Sequence, residues 1–70
     1  PQRVAEALFF LTEHFPSEHW TRKEIAQWAG TTTETVIRTL SQLEKEGLLD
    51  QSQKKILILN SEKIREKYQI

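Results

Sequence analysis

The sequence has no cysteine, which excludes disulfides, thiolate zinc sites, cysteine nucleophiles and iron–sulfur ligation. Because small secreted domains usually need such cross-links, the absence favours a reducing, cytoplasmic location. With only two glycines and two prolines, the composition argues against disorder and against a glycine-rich phosphate loop. Apolar runs stay well short of the roughly 18 residues that a membrane-spanning helix requires, so we expect no membrane as a partner.

Methionine is also absent, so we expect either a fragment of a larger protein or removal of an initiator residue ahead of Pro1. The 70 residues leave room for one small domain, and we assign residues 1–70 to it. Ten basic side chains balance ten acidic ones, so the net charge is zero. Any contact with nucleic acid therefore has to come from the local placement of charge.

Apolar residues at helical spacing predict four helices, with ends set by capping residues, glycines and one proline. These helices cover about residues 3–15, 22–29, 33–46 and 61–68. The second has the clearest bounds, because Thr21 and Glu24 have the spacing of a capping box and Gly30 follows as a left-handed end residue. The side chains expected to form its buried face are Ile25, Ala26, Trp28 and Ala29.

Only a short corner of glycine and threonines separates the second helix from the third. Thr32 is the favoured N-cap of the third helix, and a capping box between Thr31 and Glu34 is the alternative. Such a short connection makes the two helices cross steeply. We expect Ala26 to let the backbones approach and Val36 to fill the inner corner.

Two short apolar runs around a polar Ser52-Gln53 pair follow the third helix, and they predict a β-hairpin over about residues 48–59. Helix, tight corner, helix and hairpin in this order describe a winged helix-turn-helix. The fold class is therefore mainly α with a small β-hairpin.

A resemblance to a known family rests on the segment TRKEIAQWAGTTTETVIRTLSQLEKEGLL. It is similar to the C-terminal DNA-binding domain of the CRP/FNR regulators (the catabolite activator and the fumarate/nitrate-reduction regulators). That family has a Thr-Arg-x-Glu opening, a glycine before a Thr/Ser-x-Glu-Thr-Val-x-Arg segment, and a closing Leu-Glu-x-x-Gly-Leu. The resemblance, which covers roughly Arg3 to Leu59, implies sequence-specific binding of double-stranded DNA by a bacterial transcription regulator.

The resemblance also implies that the third helix lies in the major groove of a palindromic operator half-site. Arginine can donate twice to guanine, and glutamate can accept from cytosine. Glu34 and Arg38 are thus expected to read one G·C pair. Thr33 stands where the family commonly has arginine, and it can reach only a thymine methyl or a phosphate, so the half-site should differ at that base.

Phosphates are expected to be contacted from the starts of the second and third helices and from the hairpin tip. The side chains expected there are Thr21, Arg22, Lys23, Thr32, Thr35 and Lys54, with Lys55 as a weaker candidate. Residues 21–40 hold three basic and two acidic side chains, a net charge of +1. This charge is small for one DNA-binding unit, so affinity should depend on dimerisation.

Members of the family are dimers in which an effector domain and a dimerisation helix precede the DNA-binding domain. The resemblance therefore implies a homodimer only with that missing helix, and RNA polymerase as a further partner. No cofactor is expected in residues 1–70, because an effector such as a cyclic nucleotide would bind the absent N-terminal domain. Phe9 or Phe10 is a candidate surface for contact with that domain.

Simpler interpretations of the same residues stay open. Glu34 would also complete a helix cap, and Arg38 would pair with it one turn on. Zero net charge and the outward Ile37 fit a winged helix that binds protein rather than DNA. No residue set indicates an enzyme, and His14 and His19 lack the partners of a metal site.

Overall fold

The computed structural model describes residues 2–52 and 56–70, and its elements follow one another as in a winged helix-turn-helix. The elements are α1 (Gln2–His14), α2 (Arg22–Ala29), α3 (Thr33–Lys45), β1 (Leu49–Asp50), β2 (Leu57–Ile58) and α4 (Ser61–Tyr68). Strands β1 and β2 pair antiparallel between α3 and α4. The predicted fold class, mainly helical with a small hairpin, is confirmed.

Helix α1 supplies a large part of the core, because apolar side chains recur on its inner side. Its buried residues are Val4, Ala5, Ala7, Leu8, Phe9 and Leu11. The helix ends at His14, one residue before the predicted end, since the residue preceding Pro16 is disfavoured in helical conformation. Phe15 therefore leaves the helical path, stays 44% exposed and meets the Trp20 ring edge-on at 5.7 Å.

The predicted capping box at the start of α2 is confirmed. The backbone N–H of Glu24 donates to Thr21 Oγ1 at 3.1 Å, and the backbone N–H of Thr21 donates to Glu24 Oε1 at 2.9 Å. These bonds satisfy two N–H groups that a helix start leaves without partners. They favour the carboxylate form and so hold the pKa of Glu24 below its usual value.

Helix α2 stops at Gly30, as predicted, because this residue takes a left-handed φ of 71°. The N–H groups of Gly30 and Thr31 then donate back to carbonyls of the last turn, at 3.3 and 3.0 Å. This hydrogen-bond pattern is a Schellman motif, and it turns the chain into α3 within a few residues. Ala26 and Val36 are buried where the two helices meet, in agreement with the predicted inner corner.

The prediction that Trp28 belongs to the buried face of α2 is wrong. Its side chain is 56% exposed and stacks on Phe10 of α1, with ring centroids 5.0 Å apart. Ile25 and Ala26 occupy the interior side, and the large indole lies at the edge of the contact between the helices. Phe10 is itself 38% exposed, whereas Phe9 is buried.

The hairpin pairs Leu49 with Ile58 and Asp50 with Leu57, and so has shorter strands than the predicted range of 48–59 suggests. A local hydrogen bond ends β1, since the backbone N–H of Ser52 donates to Asp50 Oδ1 at 2.8 Å. This bond favours the carboxylate and lowers the pKa of Asp50. The base of the hairpin is closed by the Leu48 carbonyl, which accepts from the N–H groups of the two residues after β2.

Helix α4 is held against α1 and the end of α3 by one buried side chain and two ion pairs. Ile64 is fully buried. Arg65 contacts Glu13 at 3.0 Å and lies over the Phe9 ring at 4.3 Å, and Lys67 contacts Glu46 at 2.9 Å. Over the described ranges, none of the helices combines the length and apolar character needed to cross a membrane.

Replacement of Gly30 by alanine is predicted to lower the free energy of unfolding by about 1–2 kcal/mol, because a residue with a Cβ is strained at this φ. Space is not the obstacle, since the new Cβ would meet only the Arg3 guanidinium at 3.8 Å. Urea unfolding measures the effect. Gly30→Asn is the control and should lose less, because asparagine tolerates this conformation better. An alanine variant as stable as the parent would contradict the assignment.

The ion pair between Glu46 and Lys67 is predicted to stabilise the fold only within a pH window. Hydrogen bonds from Gln42 and Lys67 lower the pKa of Glu46 from its usual 4.5, and the bond to Glu46 raises the pKa of Lys67 from its usual 10.5. The carboxylate contribution is lost as pH falls below 4.5, through the lower folded-state pKa. The ammonium contribution is lost as pH rises above 10.5, through the higher folded-state pKa.

Unfolding measured across pH for the parent and for Lys67→Met tests this window. The stability difference between the two proteins should be largest between pH 4.5 and 10.5 and should shrink on either side. A difference that stays constant at every pH would show that the pair contributes only through packing.

Candidate nucleic-acid interface

Helix α3 has one buried side and one fully accessible side. Val36, Leu40 and Leu43 are fully buried, and Thr39 is nearly so. The exposed residues of α3 include Thr33, Glu34, Ile37, Arg38, Ser41, Gln42 and Lys45. This outward face holds the predicted base-reading residues Thr33, Glu34 and Arg38, and it leaves the first two turns of α3 open to a large partner.

Thr32 is the N-cap of α3, and the alternative cap at Thr31 is not formed. The backbone N–H of Thr35 donates to Thr32 Oγ1 at 3.2 Å, and the two hydroxyls lie 2.9 Å apart. One hydroxyl must donate to the other, so the O–H of the accepting residue stays available to a further acceptor. The start of α3 can thus offer a hydroxyl donor beside its backbone N–H groups.

Glu34 and Arg38 form an exposed pair on the outward face. Arg38 Nη2 lies 2.8 Å from Glu34 Oε1. The Arg38 side chain is 74% exposed and the Glu34 side chain is 81% exposed. An exposed pair one helical turn apart contributes only about 0.3 kcal/mol, so it opens at little cost when either group meets another partner. Thr33 is exposed beside Glu34. All three predicted base-reading side chains are therefore accessible from outside.

The three residues that open α2 differ in their surroundings. Thr21 and Lys23 are exposed, although the Thr21 hydroxyl already accepts the capping bond from Glu24. Arg22 is half-buried, and its Nη2 donates to Gln51 Oε1 just after β1. The remaining predicted phosphate contacts of the hairpin, Lys54 and Lys55, lie outside the described residues.

Gln51 and Glu44 take part in this site although the sequence does not indicate it. Gln51 donates to Glu44 of α3 from both its backbone and its side chain, at 2.8 and 3.3 Å. Its bond to Arg22 joins residues 29 positions apart in the chain. Contacts between distant segments carry no periodic or motif signal, so nothing in the sequence could have revealed them.

Among residues 2–52 and 56–70, no three or more His, Cys, Asp or Glu side chains lie together as potential metal ligands. His14 instead stacks on Phe10 at 4.2 Å, with its Nδ1 3.0 Å from the Phe10 carbonyl oxygen. The exposed Thr, Glu, Arg, Ser, Gln and Lys side chains of α3 offer hydrogen bonding and charge.

Comparison with known proteins agrees with this geometry. Residues 2–67 match the family model of the Crp-like helix-turn-helix domain. A curated relative, a probable transcriptional regulator flp of Lacticaseibacillus casei, is 49% identical over 43 residues. That match covers 61% of this chain and 19% of the relative, so the compared region is about a fifth of the longer protein.

The exposed pair on α3 is predicted to matter little for stability. Glu34→Ala and Arg38→Ala should each change the free energy of unfolding by less than about 0.5 kcal/mol, because both side chains are exposed surface groups. Leu40→Ala on the buried side of the same helix should cost about 2–5 kcal/mol. Urea unfolding compares the three variants. A large loss of stability in Glu34→Ala or Arg38→Ala would show that the pair has a structural role instead.

Proposed function

The chain belongs to the Crp-like helix-turn-helix domain family, and we propose that it is the DNA-binding part of a transcription regulator. The observation that carries this proposal is the outward face of α3, where an acid and a guanidinium stand exposed on a firmly capped and half-buried helix. A helix of this kind fits the major groove of B-DNA, in which every base pair has its own donor and acceptor pattern.

In this proposal Glu34 and Arg38 read a G·C pair. The guanidinium donates twice to guanine O6 and N7, and the carboxylate accepts from the cytosine amino group. A carboxylate near phosphates would otherwise be repelled, so its place on this face favours contact with a base donor. Arg38, which lies 2.8 Å from Glu34, offsets that charge in the free protein.

Thr33 is proposed to contact a thymine methyl group or a phosphate. Its short side chain cannot donate twice to guanine, as an arginine at that position would. The operator half-site is therefore expected to differ at the facing base pair from sites that are read by an arginine there.

Phosphates are proposed to bind at the starts of α2 and α3, where backbone N–H groups and the helix dipole favour an anion. The side chains assigned to them are Thr21, Arg22, Lys23, Thr32 and Thr35, with Lys54 of the hairpin. These contacts position the protein but carry little sequence information.

A net charge of +1 over residues 21–40 is small, and this supports binding as a dimer across a palindromic site. The dimerisation element, an effector site and any contact with RNA polymerase are proposed for the longer protein of which such a domain forms part. The family is defined by a helix-turn-helix rather than by an active site, and we assign these residues no catalytic role.

The decisive experiment joins two copies of the chain through a Gly/Ser linker of about 40 residues, whose reach of about 35 Å suits half-sites one helical turn apart. Duplexes bound by this dimer are selected from a random pool. The proposal predicts a palindrome with a G·C pair in each half-site, and affinity that falls steeply with salt. Arg38→Ala should lose about 1–3 kcal/mol of discrimination at that base pair.

Lys23→Ala is the matched comparison, because a phosphate contact should weaken all duplexes alike. An equal loss for every duplex with Arg38→Ala would refute the base-reading role. Failure of the dimer to bind any duplex at low salt would favour the other candidate function, a protein-binding module that uses exposed apolar groups such as Ile37, Phe10 and Trp28.

A further inference from the structure

Gln51 connects three parts of the fold through hydrogen bonds. It is the first residue after β1, and its backbone N–H donates to Glu44 Oε2 of α3 at 2.8 Å. Its amide Nε2 donates to Glu44 Oε1 at 3.3 Å, and its Oε1 accepts from Arg22 Nη2 at the start of α2. One side chain thus holds the end of β1 against both helices of the helix-turn-helix.

The chemistry of the three groups fixes the orientation of the amide. A carboxylate can only accept hydrogen bonds and a guanidinium can only donate them. The Gln51 amide must therefore turn its N–H group to Glu44 and its oxygen to Arg22. A neutral amide here separates a cation from an anion, and Arg22 and Glu44 do not form a direct ion pair in the described ranges.

The position of Arg22 differs from that of a free surface arginine. Arg22 is half-buried, whereas Thr21 and Lys23 on either side are exposed. Ordering a free arginine side chain on binding costs conformational entropy, because several rotamers are lost. When the side chain is already held in the free protein, that cost no longer opposes binding.

We propose that Gln51 is a positioning residue for phosphate binding: it holds the Arg22 guanidinium at the opening of α2 and leaves its positive charge for a DNA phosphate. This inference rests on the proposed function, because it assumes that the start of α2 meets a duplex. Glu44 takes part as the anchor that keeps the Gln51 amide in place.

A double-mutant cycle on the linked dimer of the preceding subsection tests the proposal, with each substitution made in one of the two copies. A fluorescently labelled duplex with two half-sites is titrated by anisotropy with the parent, Arg22→Ala, Gln51→Ala and the double variant. Loss of one phosphate contact is worth about eightfold in affinity at 0.1 M salt, since affinity scales with about the −0.9 power of salt per contact. We expect about an eightfold loss for Arg22→Ala, about threefold for Gln51→Ala, and no further loss in the double variant.

The salt dependence separates positioning from charge. Arg22→Ala should reduce the slope of log affinity against log salt by about 0.9, because one phosphate contact is gone. Gln51→Ala should keep the parent slope, because the guanidinium still reaches the phosphate but has to be ordered first. Gln27→Ala removes an exposed glutamine from α2 and should change neither affinity nor slope.

Two results would overturn the positioning role. The first is an equal loss of affinity from Gln51→Ala in the parent and in the Arg22→Ala variant, which would mean that Gln51 acts on the fold alone. The second is no loss of affinity from Gln51→Ala. If Gln51→Ala does not fold in a urea titration, Gln51→Met keeps the length of the side chain, lacks its polar atoms, and enters the same cycle. Absence of binding by the parent dimer at low salt would instead refute the proposed function, and this inference with it.

Discussion

The burial of one side of α3 is the constraint on which the rest of the structure depends. Val36, Leu40 and Leu43 have no exposed surface. Because an α-helix has about 3.6 residues per turn, burial of these three side chains leaves the opposite side of α3 facing solvent. Burial of an aliphatic side chain removes apolar surface from water, and each of these three side chains thereby stabilises the folded state by about 1.5–3 kcal/mol. The exposed Glu34–Arg38 pair is thus placed by packing that does not involve it.

Local chemistry explains why the main elements could be predicted from the sequence. The caps of α2 and α3 each span only three residues of chain, from Thr21 to Glu24 and from Thr32 to Thr35. Gly30 ends α2 because glycine adopts a left-handed backbone conformation without strain. The inner and outer sides of α3 follow from apolar spacing alone. Such signals lie within one or two turns of chain, and they determine the fold class and the exposure of the candidate base-reading residues.

Tertiary contacts explain what the sequence could not predict. Trp28 has the spacing of a buried residue, yet its size and the position of Phe10 leave it stacked at the surface. Strand β1 ends at Asp50, whose side chain accepts a hydrogen bond from the Ser52 backbone at 2.8 Å, a contact that the apolar pattern does not indicate. Arg22 looks like a free surface cation in the sequence, but Gln51, 29 residues later, holds it in place.

An NMR titration of the isotope-labelled chain with a duplex tests DNA binding by α3 most directly, because it reports which surface the nucleic acid covers. If α3 enters the major groove, amide shifts and line broadening will concentrate at the start of α2 and on the first two turns of α3, around Glu34 and Arg38. Shifts confined to the surface formed by Phe10 and Trp28, with α3 unaffected, would contradict it.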